Sequence, residues 1–101
     1  MELTFNKVDN IYVVEFKAED DFNLHIERAK TGTIRLYQRG SDVGEYKLIA
    51  KQGNNTDDTV IDSNVVGVIC PMYFKIESYV EPTLAVVTSK GNVELVENTE
   101  E

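Results

Sequence analysis

The side chains best suited to catalysis in this sequence are one histidine and one cysteine, His25 and Cys70. A hydrolase or transferase needs an activated nucleophile beside a general base, which is most often histidine. His25 occupies a polar position in an alternating run, which indicates a surface histidine without a role. Cys70 ends an apolar run before Pro71, which predicts a buried and unreactive thiol. The sequence therefore predicts no catalytic dyad and no enzyme.

Metal chemistry is also poorly supported by the residue types. One cysteine and one histidine cannot supply the three or four nitrogen or sulfur ligands of a usual zinc site. Calcium prefers oxygen ligands, and carboxylates stand at 19–21, 57–58 and 62, without the spacing of a calcium loop or its closing glutamate. Solvated loops are the favoured interpretation, so we expect no cofactor and no metal. Calcium-dependent binding stays open as an alternative.

One set of residues favours recognition. Arg35, Tyr37 and Arg39 alternate along one predicted strand and so share its outward face, and Tyr79 is available from another strand. Arginine and tyrosine anchor protein interfaces, and tyrosine rings also stack on sugars. These four residues are the predicted partner-binding surface. The alternative is that the tyrosines pack at the edge of the core and the arginine stems cover them.

Length, composition and charge limit the class of protein. A chain of 101 residues with 42% hydrophobic residues fits one domain, which we place at residues 1–96 with a frayed acidic tail at 97–101. The formal charge of −8 would repel a phosphate backbone, so nucleic acid is not an expected partner. No apolar run has the length of a membrane span, and the N-terminus does not resemble a secretory signal. We therefore expect no membrane partner and synthesis in the cytoplasm.

The elements that must position these residues are strands, because apolar side chains recur with a period of two throughout. We predict a first hairpin around Asp9-Asn10 and a second, joining residues 22–27 to 33–39, around Thr31-Gly32. We also predict a strand at residues 73–80 and a central strand covered on both faces at residues 84–88. A last strand at 93–96 would complete a meander with them. Eight to ten short strands indicate an antiparallel two-sheet β-sandwich of jelly-roll type, with a small β-barrel as the alternative.

Two families resemble parts of this pattern. Residues 29–40 with Gly44-Glu45-Tyr46, and residues 71–76, look like strands of discoidin-type jelly rolls. Residues 73–80, the turn Glu81-Pro82-Thr83 and residues 84–88 are similar to the closing strands of small β-sandwich proteins of tailed phages, among them capsid decoration and auxiliary capsid proteins.

The two resemblances imply different functions. The discoidin likeness implies a module that binds a sugar or lipid head group through loops at one end. The phage likeness implies a noncatalytic virion protein, made in the host cytoplasm, that binds the capsid shell and its own copies. The acidic charge and the lack of catalytic groups favour the virion protein, docked by a sheet edge or by the face of Arg35, Tyr37 and Arg39. A carbohydrate-binding module is the alternative.

Overall fold

The computed structural model describes residues 1–40, 44–49 and 58–96. It contains nine strands in this part of the chain: β1 (Asn6–Val8), β2 (Ile11–Ala18), β3 (Phe22–Arg28), β4 (Ile34–Arg39), β5 (Lys47–Leu48), β6 (Val60–Val65), β7 (Met72–Ser78), β8 (Pro82–Ser89) and β9 (Val93–Leu95). The described residues include no helix that could cross a membrane. Residues 41–43, residues 50–57 and the predicted tail at 97–101 lie outside the described residues.

The strands form two antiparallel sheets packed face to face, so the predicted β-sandwich is confirmed. The larger sheet has the order β1-β2-β7-β4-β5, and β9 pairs with β2 beside β1. The smaller sheet has the order β6-β3-β8. Residues 1–3 extend the smaller sheet, because Glu2 bridges to Val86 and Leu3 N donates to Ala85 O over 2.8 Å.

Period-two alternation decides which face of each strand is buried. On β3, Phe22, Leu24 and Ile26 are buried while their neighbours are exposed or half-buried. On β4, Ile34 and Leu36 are buried in the same way. Each set of inward side chains meets the other sheet, because side chains two residues apart lie on one face of a strand. The predicted faces of these strands are confirmed.

Three phenylalanines form the centre of the core. Phe16 and Phe74 are fully buried, and their rings stack at a centroid separation of 5.6 Å. Phe22 approaches both rings edge-on, at 5.4 Å from Phe16 and 4.9 Å from Phe74. These are the favoured geometries for aromatic pairs, and they join β2 and β7 of the larger sheet to β3 of the smaller one.

The first predicted hairpin is present and consists of β1 and β2. Asp9 and Asn10 adopt positive φ angles of 52° and 69°, which allow the two-residue turn between β1 and β2. Because residues 1–3 pair with β8, the N-terminal segment contributes first to the smaller sheet and then to the larger one.

The second predicted hairpin is wrong. β3 pairs with β6 and β8, whereas β4 pairs with β7 and β5, so the connection at Thr31-Gly32 crosses between the sheets. Gly32 serves a close approach here, because a Cβ added to it would lie 2.5 Å from Cγ2 of Val80. A glycine in a tight turn and a glycine at a close contact cannot be distinguished by local sequence.

The predicted meander after residue 73 is also wrong, because β7 and β9 belong to the larger sheet and β8 to the smaller one. Strand β8 is covered on one face only: Ala85 and Val87 are buried, while Leu84 and Val86 are half-buried on the outer face. Its apolar residues on both faces therefore do not mark a strand covered on each side.

A buried arginine ties the connections at one end of the sandwich. Arg28 is only 4% exposed, and its guanidinium donates to Gly32 O over 2.7 Å and to Asp58 O over 2.6 Å. Burial lowers the pKa of Arg28, and the nearby Asp58 opposes that shift. The side chain thus links the crossover after β3 to the chain that enters β6.

Candidate functional site

The outer face of the larger sheet is built from rows of side chains on β2, β7 and β4. Antiparallel register places Glu15, Lys75 and Tyr37 directly opposite one another. Two flanking rows are aligned in the same way, and directly opposed side chains on one face are close enough to interact. The flanking rows consist of Val13, Glu77 and Arg35, and of Lys17, Tyr73 and Arg39.

Arg39 stacks between two tyrosine rings on this face. Its guanidinium carbon lies 4.6 Å from the ring centroid of Tyr46 and 5.2 Å from that of Tyr73. A guanidinium over an aromatic face is attracted by the ring quadrupole, and its planar shape matches the ring. The two rings therefore hold the Arg39 side chain in one orientation.

Lys75 takes the equivalent place between a second pair of rings. Its ammonium lies 4.9 Å from the centroid of Tyr37 and 4.9 Å from that of Tyr46, and 3.5 Å from the Glu77 carboxylate. Tyr46 thus contacts both cations. We call Tyr37, Arg39, Tyr46, Tyr73 and Lys75 the tyrosine–cation cluster.

Tyr46 links the cluster to β2 through a hydrogen bond across the sheet. It precedes β5, which pairs with β4, yet its hydroxyl donates to the Glu15 carboxylate on β2 over 3.0 Å. Burial raises the pKa of Tyr46 well above its ordinary value, and the charge of Glu15 and this hydrogen bond raise it further. Burial, followed by a hydrogen bond with Glu77, likewise raises the pKa of Tyr37. Both phenols therefore remain neutral donors at physiological pH.

The Arg39 guanidinium keeps hydrogen-bonding capacity. Among the described residues it makes one long hydrogen bond, from Nη1 to Gly44 O over 3.4 Å. Its planar group has five N–H donors, but Nε is buried without a hydrogen-bond partner among the described residues, so an acceptor outside the protein can reach only the Nη groups. An acceptor on a partner would meet donors that are already oriented.

The face is also rich in positive charge for an acidic chain. Among described residues it carries Lys17, Arg35, Arg39 and Lys75, which are four of the ten Lys and Arg residues. Its described acids are Glu15, Glu77 and Glu94, from a total of eighteen Asp and Glu. Lys17 and Glu94 form an exposed pair at 3.7 Å. The face therefore has a local charge opposite in sign to that of the whole chain.

Three of the four predicted binding residues lie together here. Arg35, Tyr37 and Arg39 are half-buried on the outward side of β4, as alternation predicts. Tyr79 follows the end of β7 and instead lines a groove at the end of the sandwich. No local pattern places Tyr46 or Lys75 in this surface, because Lys75 meets Tyr37 only through the pairing of β4 with β7, and Tyr46 comes close only through the pairing of β4 with β5.

The prediction that Cys70 is buried is wrong, because its thiol is exposed. Gly67 adopts a φ of +87° and interrupts the alternation after β6. Val68 is then the buried residue of this connection, at 3% exposure, while Ile69 is 90% exposed. The connection after β6 thus contributes Val68 to the core and leaves Ile69 and Cys70 in solvent.

His25 was predicted to be a surface histidine without a role, but its ring makes two close polar contacts. Its Nδ1 lies 2.6 Å from an Asp62 oxygen on β6, and its Nε2 lies 2.9 Å from a Glu27 oxygen. A neutral imidazole has one N–H, so only the protonated ring donates to both carboxylates. The hydrogen bond with Asp62, followed by that with Glu27, raises the pKa of His25 above its ordinary value of 6.5.

The other carboxylates considered for calcium are separated along the smaller sheet. Asp21 accepts from Val68 N over 2.8 Å beside Phe22, whereas Asp62 is opposite His25 in the middle of β3. Asp58 precedes β6 near the other end of that sheet, and Asp57 lies outside the described residues. Within the ranges the structure describes, no three His, Cys, Asp or Glu residues form a group that could hold a metal ion.

The contacts of His25 predict a pH dependence of stability. Since the folded pKa is raised, the stabilisation is complete below pH 6.5 and disappears as the pH rises through the folded pKa. We expect the difference in unfolding free energy between wild type and His25→Gln to be largest below pH 6.5 and to shrink as the pH rises through the folded pKa. Denaturant titrations check this, and a difference independent of pH would contradict it.

A matched pair of variants separates the two carboxylates. Asp62→Asn is expected to lower the pKa of His25 more than Glu27→Gln does, because the Asp62 hydrogen bond makes the larger contribution. Titration of the imidazole resonances by NMR measures both values directly. Equal shifts, or a larger shift in Glu27→Gln, would assign the raised pKa to a different cause.

A scan against protein-family models, a search of curated proteins and a search of solved structures each found no match to this chain.

Proposed function

We propose that the protein is a noncatalytic structural component of a phage virion that docks on the capsid shell through the tyrosine–cation cluster. The observation that carries this proposal is Arg39, whose guanidinium lies over the rings of Tyr46 and Tyr73 and donates through Nη1 to Gly44 O over 3.4 Å. Interface energy is concentrated in a few tyrosine, tryptophan and arginine residues near the centre of a contact. A side chain already held in its bound orientation also loses less entropy on binding.

Charge indicates the kind of surface that fits. The cationic residues of the cluster would meet acidic side chains or backbone carbonyls of a shell protein, and oriented guanidinium donors suit both. The net charge of −8 over the whole chain disfavours contacts of the remaining surface with other acidic surfaces. This combination supports docking by one face in a fixed orientation.

A carbohydrate-binding module based on Tyr37 is less well supported. A sugar stacks on an open ring face, but the Lys75 ammonium lies 4.9 Å from the centroid of Tyr37. The ring is also half-buried. For calcium-dependent binding, the separated carboxylates of the smaller sheet offer no common point of coordination, and calcium addition that raises the melting temperature would revive that alternative.

The test is co-sedimentation of the purified protein with assembled capsids from its source. We expect Arg39→Ala to weaken binding by about thirtyfold, the effect of losing about 2 kcal/mol at an interface anchor. Arg39→Lys keeps the charge but loses the planar donors, so its affinity should fall between those of wild type and Arg39→Ala.

Two comparisons make this experiment decisive. Lys90→Ala alters a cation outside the cluster and should sediment like wild type. A strictly monomeric wild type without affinity for the capsids would reject the virion function. Undiminished binding by Arg39→Ala would reject the cluster as the docking surface.

A further inference from the structure

A groove lies at the end of the sandwich where β7 and β8 are joined. It has a volume of about 650 Å³, which falls within the roughly 300–1,000 Å³ of small-ligand sites. Tyr79 is 48% exposed and lines the groove together with the half-buried Tyr12. This surface is separate from the tyrosine–cation cluster, because Tyr79 follows the end of β7 and neither tyrosine belongs to that cluster.

The turn that carries Tyr79 is fixed on both sides. The fully buried Ser78 hydroxyl donates to Val80 O over 2.6 Å and accepts from Val80 N over 3.3 Å. Tyr79 N donates to Thr33 O over 2.9 Å. These bonds hold the backbone of an exposed aromatic residue in one place, so its ring needs little ordering when a ligand binds.

The residues beneath this turn are tightly packed. Gly32 packs against Val80 so closely that a Cβ would lie 2.5 Å from Cγ2. Arg28, buried behind that contact, donates to Gly32 O over 2.7 Å. The groove is therefore formed by the packed end of the sandwich.

The polar residues of the groove indicate the class of ligand. Lys30 and Glu81 contribute one charge of each sign, and Thr83 and the two phenols contribute hydroxyls. A net charge of −8 disfavours an anionic ligand, and a cation would meet Lys30. Sugars present an apolar C–H face that packs on an aromatic ring and hydroxyls that pair with both donors and acceptors.

We infer that this groove binds a neutral oligosaccharide, with one sugar ring packed on Tyr79. This inference does not depend on the virion function, because it uses different residues and a different ligand.

The experiment is a titration of the full chain with neutral tetrasaccharides of glucose, galactose, mannose and N-acetylglucosamine, followed by NMR of the backbone amides. We expect at least one of them to shift amides around Tyr79 and Thr83. Tyr79→Ala should weaken that binding at least about tenfold, whereas Tyr79→Phe, which keeps the ring, should retain most of it. Tyr37→Ala, on the other surface, should bind like wild type.

Three outcomes would overturn the inference. They are no shift at millimolar concentrations of any of these sugars, binding that survives Tyr79→Ala, and shifts at the groove with a proline-rich peptide alone. The last would assign the groove to an extended peptide, since aromatic grooves also accept polyproline segments. Because Tyr79 is exposed, the melting temperature of Tyr79→Ala should stay close to that of wild type, which confirms that the variant folds.

Discussion

Phe74→Ala is expected to lower the free energy of unfolding by about 4 kcal/mol, the largest effect of any change considered for this chain. Phe74 is fully buried and contacts the rings of Phe16 and Phe22, so its truncation removes apolar burial and leaves a cavity between the two sheets. Because such a domain has only about 5–15 kcal/mol of total stability, the loss is a large part of it. Equilibrium unfolding in denaturant measures the change.

Two variants calibrate this result. Phe74→Leu keeps most of the volume and should cost about 1.5 kcal/mol. Val66→Ala removes apolar atoms from a side chain that is 70% exposed, so its cost should stay below about 0.5 kcal/mol. If Phe74→Ala were as stable as wild type, the aromatic trio would not be the centre of the core.

Arg28→Met is expected to lower the free energy of unfolding by about 3 kcal/mol. Methionine fills similar space but donates no hydrogen bond, so the carbonyls of Gly32 and Asp58 lose their bonds to the guanidinium. Both hydrogen bonds are made by a charged, buried donor, and bonds of that kind contribute more to stability than neutral ones. Thermal and denaturant unfolding both report this loss.

Arg28→Lys separates geometry from charge. Lysine keeps the positive charge but lacks the planar fork that spans two carbonyls, so we expect a loss intermediate between those of wild type and Arg28→Met. Arg35→Met changes a half-buried arginine on the outer face and should cost less than about 1 kcal/mol. Equal losses in Arg28→Met and Arg35→Met would show that the carbonyl contacts contribute nothing to stability.

Local pattern predicted the faces of the strands but not their partners. The alternation in β3 and β4 correctly separates Leu24 and Leu36 from His25 and Tyr37, because each strand has one face against the other sheet. The pairing of β3 with β6 and β8 depends on contacts distant in sequence, and Thr31-Gly32 resembles a hairpin turn in either topology. Strand partners are therefore fixed by the assembled core, beyond the reach of a short window of sequence.

The same limit applies to the tyrosine–cation cluster. Arg35, Tyr37 and Arg39 could be predicted as one stripe because they lie on a single strand with spacing two. Lys75 and Tyr46 joined them only through strand register and through a side chain that reaches across the sheet to Glu15. Tyr79 shares their chemistry but not their location, because its strand ends before it.

The route of the chain between the sheets has a consequence for how the domain forms. Among the nine strands that the structure describes, only β1 to β2 and β4 to β5 are consecutive strands of one sheet, and every other pair of consecutive strands lies in different sheets. Neither layer can therefore assemble from neighbouring segments, and most loops must close before their contacts stabilise anything. Such non-local topologies fold on the slower timescale of β-sandwiches, in milliseconds to seconds. Because the chain alternates between the two sheets, we expect both sheets to unfold together in one cooperative transition.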